Sequence, residues 1–265
     1  MLGKMLEEIR RQRPLVHCIT NYVTANDCAN LLLASGARPI MADDPAEVEE
    51  ITRVSQALVI NMGTPDERKI SAALKAGKTA NQFGIPVVLD PVGVGSSLYR
   101  TQAVRTILEQ VQCSVIRGNA EEIRCLAQDK RSILGVDAGQ MEISPDVTVD
   151  LARKLRCTII VSATQDILTD GKEIYRVMNG HPMMRSVTGS GCQASCLIAA
   201  FLTQKMDSVL QRSLWAVCAY GLAGEIAYQQ LLPQEGNASY RNRIIDSIYH
   251  MNDDTLLQGA KYEKL

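Results

Sequence analysis

The sequence lacks a long apolar run, an excess of either charge and a paired-cysteine motif. None of its apolar segments approaches the ~20 residues of a transmembrane helix, so we expect no membrane span. The net charge of −1 gives no basic surface for nucleic acid or anionic lipid. No C-x-x-C pair occurs among the eight cysteines, which predicts buried free thiols in a reducing cytoplasm and neither disulfides nor a zinc site.

Linkers, internal repeats and low-complexity tracts are also missing, which bears on the domain organisation. A chain of 265 residues with 46% hydrophobic residues can form a sizeable core, and this argues against disorder. We therefore expect one domain over residues 1–265. The first ten residues predict the start of an amphipathic helix that contains acids, and they do not have the pattern of a signal peptide.

Short apolar segments alternate with helical patterns along most of the chain. Strands are predicted at 15–20, 38–41, 57–62, 85–91, 114–119 and 158–162. A helix ending at Gly36, one starting at Asp43–Pro45 and one over 66–80 lie between them. Strands that are apolar throughout predict an α/β fold with a parallel sheet covered on both faces. Residues 166–178 predict a β-hairpin, and the chain after Cys192 is mostly helical.

The residues that close these strands are the first candidates for a site. In open α/β sheets, ligands bind at the carboxyl ends of the strands. Several ends carry a polar or otherwise distinctive residue, and together they favour an active site over accidental packing: Thr20, Asn21, Met41, Asn61, Gly63, Asp90, Asn119, Glu122 and Ser162.

A glycine-rich stretch before the apolar run 197–202 predicts a tight loop that opens a buried helix. It contains Gly189, Ser190, Gly191 and Cys192. The free backbone N–H groups and the positive dipole end of such a helix bind anions such as phosphate. A plain loop-to-helix junction with small residues is the alternative, and this stretch alone does not decide between them.

Two acidic segments could hold a magnesium ion for phosphoryl transfer. Asp90 precedes a Pro-Val-Gly turn, and Glu122 lies three residues after Asn119 at a predicted helix start. Ordinary N-capping also explains Asn119 and Glu122. Capping does not explain Arg117, a cation at a strand end where a nucleotide phosphate would lie.

Two other patterns are weaker. Gly77-Lys78-Thr79 imitates a phosphate-binding loop, but it is predicted to be the end of a helix and the motif's first glycine is missing. Cys192 would suit a covalent acyl-transfer enzyme if the helix N-terminus lowered its pKa and His17 acted as base. His17 lies within an apolar strand, which favours a core histidine.

Taken together, these segments make the sequence similar to the hydroxyethylthiazole kinase family of thiamine salvage, within the ribokinase-like superfamily. The markers are 14–21, 36–41, 89–93, 116–122 and 189–192, and the resemblance covers nearly the whole chain. It implies a three-layer α/β/α fold with a central, mostly parallel sheet and no separate lid domain. The implied reaction is ATP-dependent, Mg²⁺-assisted phosphorylation of 4-methyl-5-(2-hydroxyethyl)thiazole.

The resemblance also implies roles for individual residues. It assigns Met41, Gly63 and Gly189 to the thiazole and Asn21 to the thiazole of a neighbouring subunit in a homotrimer. It assigns Arg117, Asn119 and Ser162 to ATP. It assigns Asp90 and Glu122 to Mg²⁺. The 189–192 loop, with Cys192, is assigned to the transferred phosphoryl group. Ser162-Ala163 replaces the threonine–glycine pair that is usual at the nucleotide strand.

Three alternatives stay open at this point. A related alcohol kinase acting on a hydroxymethylpyrimidine or pyridoxal would share ATP, Mg²⁺ and the anion loop. An acyl-transfer enzyme using Cys192 would form a covalent intermediate without ATP. A nucleotide-binding protein without catalysis would bind ATP and not turn it over.

Overall fold

The computed structural model describes residues 4–128, 143–205 and 207–265. Their nine strands form one sheet, and the strands are β1 (Leu15–Ile19), β2 (Arg38–Ile40), β3 (Ala57–Asn61), β4 (Val87–Asp90), β5 (Val115–Asn119), β6 (Thr158–Ser162), β7 (Asp166–Thr169), β8 (Ile174–Val177) and β9 (Tyr262–Lys264). The order across the sheet is β2-β1-β3-β4-β5-β6-β7-β8-β9. Because these strands all belong to one sheet, the described residues contain no second sheet that could form a lid.

The strand directions divide the sheet into two parts. The pairs from β2 to β6 are parallel, and those from β6 to β9 are antiparallel. In register, Asn61 is opposite Asp90 and Asn119 is opposite Ser162. Parallel strands end at the same edge, so the loops that follow β1, β3, β4, β5 and β6 meet there.

Helices cover both faces of the sheet. One face carries α1 (Met5–Gln12), α2 (Ala25–Ser35), α8 (Ser190–Leu202), α9 (Val209–Gln229), α10 (Asn237–His250) and α11 (Asp253–Gly259). The other carries α3 (Val48–Val54), α4 (Glu67–Phe83), α5 (Leu98–Gln110), α6 (Ala120–Ala127) and α7 (Pro145–Leu155). A 3₁₀ helix over Pro182–Ser186 precedes α8.

Each central strand contributes to both cores because successive side chains point to opposite faces. In β3, Val59 packs with the α8 side while Leu58 and Ile60 pack with the α4 side. Burying both faces requires strands that are apolar throughout, which is the pattern seen in the sequence.

The structure confirms the predicted three-layer α/β/α fold with its mostly parallel sheet and its 166–178 hairpin. The predicted helix start at Asp43–Pro45 is wrong, because a turn occupies this segment and α3 begins at Val48. Gly77 to Thr79 lie inside α4, a turn before its end. Strand β9 was not predicted. Of the predicted first helix, residues 1–3 lie outside the described part.

The prediction of one domain over residues 1–265 is supported by the single sheet and stays a prediction. Separately, none of the helices in the described part of the chain has the length and apolar character needed to cross a membrane.

Candidate active site

The N-terminus of α8 lies at the carboxyl edge of the sheet and is shaped by glycine. Gly189 has φ +75°, and a Cβ there would lie 2.1 Å from Thr24 Cγ2. A residue with a side chain would be strained in this left-handed conformation and would also clash with the turn after β1. Glycine therefore lets the Asn21–Thr24 turn pack directly against the predicted anion loop.

We expect Gly189→Ala to lower the free energy of unfolding by about 3 kcal/mol, from left-handed strain and overpacking together. Urea denaturation measures the change. Gly236→Ala is the matched control, because a Cβ there meets nothing within 4 Å. Adding Thr24→Ser removes the clashing methyl group and should restore part of the loss. A wild-type midpoint in Gly189→Ala alone would contradict this account.

A chain of buried side-chain hydrogen bonds joins three strand ends to α8. Asn21 Nδ2 donates to Asn61 Oδ1 at 2.9 Å, and Asn61 Nδ2 donates to Asp90 Oδ2 at 3.0 Å. Ser195 Oγ, one turn into α8, donates to the same Asp90 oxygen at 2.9 Å. Asn61 Oδ1 also accepts from the Gly63 backbone N–H at 2.9 Å. These bonds hold the ends of β1, β3 and β4 against the start of α8.

Asp90 is the most deeply buried acid of the site, with 1% of its surface exposed. Burial raises its pKa to about 6, the nearby Arg117 opposes this rise, and the neighbouring Glu122 adds to it. Asn61 Nδ2 and Ser195 Oγ both donate to Asp90 Oδ2, and no donor from the described residues reaches Oδ1. Asp90 therefore keeps one oxygen for a ligand and is held close to a second carboxylate.

Glu122 connects the start of α6 to the turn after β4. Its Oε2 accepts from the Asn119 N–H at 2.8 Å while Asn119 Oδ1 accepts from the Glu122 N–H at 2.8 Å, which completes a capping box. Its Oε1 accepts from the Gly93 N–H at 2.8 Å. The capping interpretation is therefore confirmed, and it places the carboxylate beside the Asp90–Gly93 turn.

The two carboxylates fit a magnesium ion. Within the described residues, no group of three or more His, Cys, Asp or Glu side chains is arranged to hold a metal. Kinase Mg²⁺ is usually bound through one or two carboxylates, waters and the nucleotide phosphates, so a large protein cage is not required. The mutual repulsion that helps raise the pKa of Asp90 is the interaction that a divalent cation would relieve.

Arg117 brings a positive charge to the start of α8. A Cβ on Gly191 would lie 2.2 Å from Arg117 Nη1, so the guanidinium rests directly on that helix end. Arg117 is half-buried, and its charge also acts on the half-buried Asp166 and the buried Tyr220. A guanidinium and free helix N–H groups at one place form a site for phosphate.

The structure separates Cys192 from His17. Cys192 accepts a hydrogen bond from Asn21 Nδ2, with 3.4 Å between the nitrogen and Sγ. Both ring nitrogens of His17 are bonded, to Thr52 Oγ1 at 2.9 Å and Ala42 O at 2.7 Å. The expected lowering of the thiol pKa is wrong, because burial first and the Asp90 charge second raise the pKa of Cys192 to about 11. A protonated thiol without a base does not suit covalent acyl transfer.

Met41 and Asn21 line a cavity of about 300 Å³ at the end of β1. Cys18 and Thr20 also line it, and Thr64 and Lys69 form its other side. This volume is at the lower end of the roughly 300–1,000 Å³ usual for ligand pockets, so it suits a small molecule.

The remaining predicted residues lie at the same edge with fewer contacts. The side chain of Asn119 caps α6, Ser162 is the last residue of β6, and Ser190 is the first residue of α8. Ala163 N donates to Asp166 Oδ1 at 2.9 Å. Arg13 and Arg156 are the described non-glycine residues with positive φ, so the backbone at position 163 does not require glycine.

Sequence reasoning missed three supporting residues. Arg100 donates to the carbonyl oxygens of Met62, Gly63 and Val92 at 2.8–3.0 Å and thereby fixes two loops of the site. Ser195 bonds Asp90, and Thr24 packs on Gly189. The signal for Ser195 was its spacing of four residues from Gly191, which places it below the anion loop on one helix face. No local pattern identifies Arg100.

Comparison with known proteins shows which family this chain belongs to. A model of the hydroxyethylthiazole kinase family matches residues 6–254. A hydroxyethylthiazole kinase from Clostridium acetobutylicum is 46% identical over an alignment of 271 positions. The alignment covers 99% of this chain and 99% of that protein. The solved structure of a hydroxyethylthiazole kinase from Pyrococcus horikoshii matches with a TM-score of 0.89 at 35% identity, covering 100% of this chain and 98% of that one.

A more distant structure bears on the fold alone. A ribokinase-like superfamily protein from Enterococcus faecalis matches with a TM-score of 0.63 at 14% identity, covering 93% of this chain and 95% of that one. This similarity confirms the predicted ribokinase-like architecture. The family model and the relative from Clostridium acetobutylicum go further, and by them the chain belongs to the hydroxyethylthiazole kinase family.

Proposed function

We propose that the protein transfers the γ-phosphoryl group of ATP to the primary hydroxyl of 4-methyl-5-(2-hydroxyethyl)thiazole, giving the thiazole phosphate and ADP. The observation that carries this proposal is the convergence of a cation, two carboxylates and free helix N–H groups beside a small cavity. Arg117 and Asp90 meet the first turns of α8 there, and the charge of Glu122 acts on Asp90. Asn21 connects Cys192 to the cavity lined by Met41. Family membership favours the thiazole alcohol as the acceptor.

Alignment and charge neutralisation supply most of the catalysis in this scheme. The alcohol oxygen forms the new bond to phosphorus while the bond to the ADP oxygen breaks, and the transition state asks for little covalent chemistry from the protein. The N–H groups of Gly191 and Cys192 hold the transferred group, while the Ser190 N–H donates to Val187 O at 3.4 Å. Arg117, Asn119 and Ser162 bind ATP. Met41, Gly63, Gly189 and Asn21 position the thiazole.

Magnesium is the metal that this donor set suits. When bound, it would neutralise negative charge on the phosphates. Asp90 would hold it through the oxygen left free by Asn61 and Ser195, and Glu122 would hold it while keeping its two backbone hydrogen bonds.

Assembly and location form a further part of the proposal. Tyr22 and Val23 follow Asn21 and are 83% and 55% exposed, an apolar tip beside the substrate cavity. Exposed apolar side chains next to a site favour burial against another subunit. We therefore propose a homotrimer with sites between subunits. The eight free cysteines suit a reducing cytoplasm.

The experiment that tests the function is ADP release by the purified protein with ATP, Mg²⁺ and the thiazole alcohol. Hydroxymethylpyrimidine and pyridoxal replace the thiazole in parallel reactions. We expect turnover to depend on ATP and on Mg²⁺ and to be highest with the thiazole alcohol. Higher kcat/KM with pyridoxal or the pyrimidine would overturn the assigned substrate. ATP binding without turnover of any of the three would overturn the kinase.

Substitutions of Cys192 separate positioning from covalent catalysis. Because its thiol is protonated at neutral pH, we expect it to position the alcohol, so Cys192→Ala should lower kcat only about 10-fold, below the usual effect of losing a general base. Cys192→Asp should retain or raise kcat, since a carboxylate can accept the hydroxyl proton. Steady-state ADP production measures both. Complete loss in both variants, with intact ATP binding, would revive the covalent alternative.

A further inference from the structure

The side chain of Thr20 is buried without a hydrogen-bond partner. It follows β1, is 7% exposed, and its Oγ1 has no partner among the described residues. Buried hydroxyls in folded proteins are almost always bonded, because leaving one unpaired costs free energy. Thr20 has no part in the phosphoryl transfer proposed above.

The position of Thr20 shows where a partner would come from. It lines the cavity of about 300 Å³ together with Cys18 and Met41. Its alternation with Cys18 along the chain places both side chains on the α8 face of the sheet, the face that carries Cys192. A ligand in this cavity would meet sulfur-containing and apolar groups on the inner wall, with one hydroxyl among them.

Three other polar side chains around the cavity already make hydrogen bonds or ion pairs within the protein. Asn21 donates to Asn61 and Cys192 and accepts from the Thr24 N–H. Lys69 donates to Thr64 O and Oγ1 at 3.0 and 2.9 Å. Arg68 is paired with Asp43 and Asp44 at the rim. Among the described residues that line this cavity, Thr20 therefore carries the buried polar side-chain atom that has no hydrogen-bond partner.

We infer that Thr20 donates a hydrogen bond to the ring nitrogen of the thiazole alcohol and so selects for a nitrogen heterocycle; this inference rests on the proposed function. The substrate has two groups that a protein can recognise through hydrogen bonds, its hydroxyl and its ring nitrogen. The hydroxyl has to face Cys192 and the start of α8 for transfer. Asn21 lies between Cys192 and the cavity, so the ring occupies the cavity, where its nitrogen needs a donor.

The test compares two alcohols that differ at one ring position. The thiophene analogue 2-(3-methylthiophen-2-yl)ethanol has C–H in place of the ring nitrogen and keeps the methyl and hydroxyethyl groups. We expect the wild type to prefer the thiazole in kcat/KM by about 10- to 100-fold, because the analogue leaves the Thr20 hydroxyl unpaired. Thr20→Val should abolish this preference by raising KM for the thiazole alone. Thr20→Ser, which keeps the hydroxyl, should retain it.

Thermal unfolding provides a readout that a merely structural role would not give. Thr20→Val removes an unpaired hydroxyl, so the melting temperature of the ligand-free protein should not fall. Adding the thiazole alcohol should raise the melting temperature of Thr20→Val less than that of the wild type. Adding the thiophene analogue should raise the melting temperatures of both proteins equally. If valine is not tolerated, Thr20→Ala gives the same comparison between the two alcohols.

The outcomes separate the inference from the function beneath it. No turnover of the thiazole alcohol by the wild type would refute the proposed function. An active wild type with equal losses for both alcohols in Thr20→Val and Thr20→Ala would refute the role of Thr20 and leave the function intact. Loss of the preference in Thr20→Ser would also count against the hydroxyl.

Discussion

Asp90→Asn should lower kcat by about 10³-fold, because the neutral amide no longer contributes a negative ligand where metal and phosphate charge converge. The fold should survive, since the amide oxygen still accepts from Asn61 Nδ2 and Ser195 Oγ. ADP release at saturating ATP and Mg²⁺ measures the effect. Asp254→Asn, at an exposed carboxylate of α11, is the control and should turn over normally. Near wild-type turnover in Asp90→Asn would remove the metal role.

The same substitution should stabilise the protein above pH 6. The folded state raises the pKa of Asp90 from 3.8 to about 6, which at 1.36 kcal/mol per pKa unit corresponds to about 3 kcal/mol. Between these pH values the folded protein binds more protons than the unfolded chain, so stability falls as pH rises through this window. The Asp90→Asn substitution removes this pH-dependent contribution to the free energy of unfolding.

Denaturant unfolding at pH 4, 6 and 8 measures the difference between Asp90→Asn and the wild type. We expect the variant to be more stable at pH 8 by up to about 3 kcal/mol and this advantage to shrink towards pH 4. Burial also raises the pKa of Asp166 to about 6, but that group is common to both proteins and cancels in the difference. A difference independent of pH would show that ionisation of Asp90 is not the cause.

Arg117→Ala should raise KM for ATP by about 30- to 100-fold, because it removes charge-assisted hydrogen bonds to a phosphate. KM for the thiazole alcohol should change much less. Arg117→Lys should fall between, since it keeps the charge and loses the planar fork. Initial-rate kinetics with each substrate varied measure the split. Equal increases in both KM values would indicate general damage at the end of β5.

The pH profile of Arg117→Ala gives an independent measurement. The guanidinium lowers the pKa of Asp90, so its removal should move the acidic limb of the kcat profile to higher pH. Arg176→Ala, which removes an exposed ion pair with Glu263 at the β8–β9 edge, is the control and should shift neither the limb nor KM. An unmoved limb in Arg117→Ala would show that Asp90 does not control this ionisation.

Local patterns predicted most of the architecture. Strands buried on both faces are apolar throughout, and glycine at 36 ends α2 in a left-handed conformation, so both were readable from short segments. The late start of α3 was not readable, because Asp44 accepts from Ala46 N and forms a turn before the helix begins. Strand β9 was missed because three residues near the chain end, exposed in the structure, carry little pattern.

One topological rule identified the candidate site residues, but it did not predict their pKa values or hydrogen bonds. The rule that ligands bind at the carboxyl ends of parallel strands placed Asn21, Asp90 and Arg117 at one edge. The sequence also predicted a lowered pKa for Cys192 from the helix N-terminus. Burial beneath Asn21 and the charge of Asp90 outweigh that effect in the folded protein.

By itself, the sequence determined the layered α/β architecture, the residues at the strand ends and the family resemblance, because each depends on segments of a few residues. Only the tertiary structure decided that His17 faces Thr52, that Ser195 bonds Asp90, and that the Thr20 hydroxyl is left without a partner. The atoms in those relationships come from distant segments, with Ser195 and Asp90 separated by 105 positions. Hydrogen bonding, burial and pKa are properties of that spatial arrangement, and a local pattern carries no record of it.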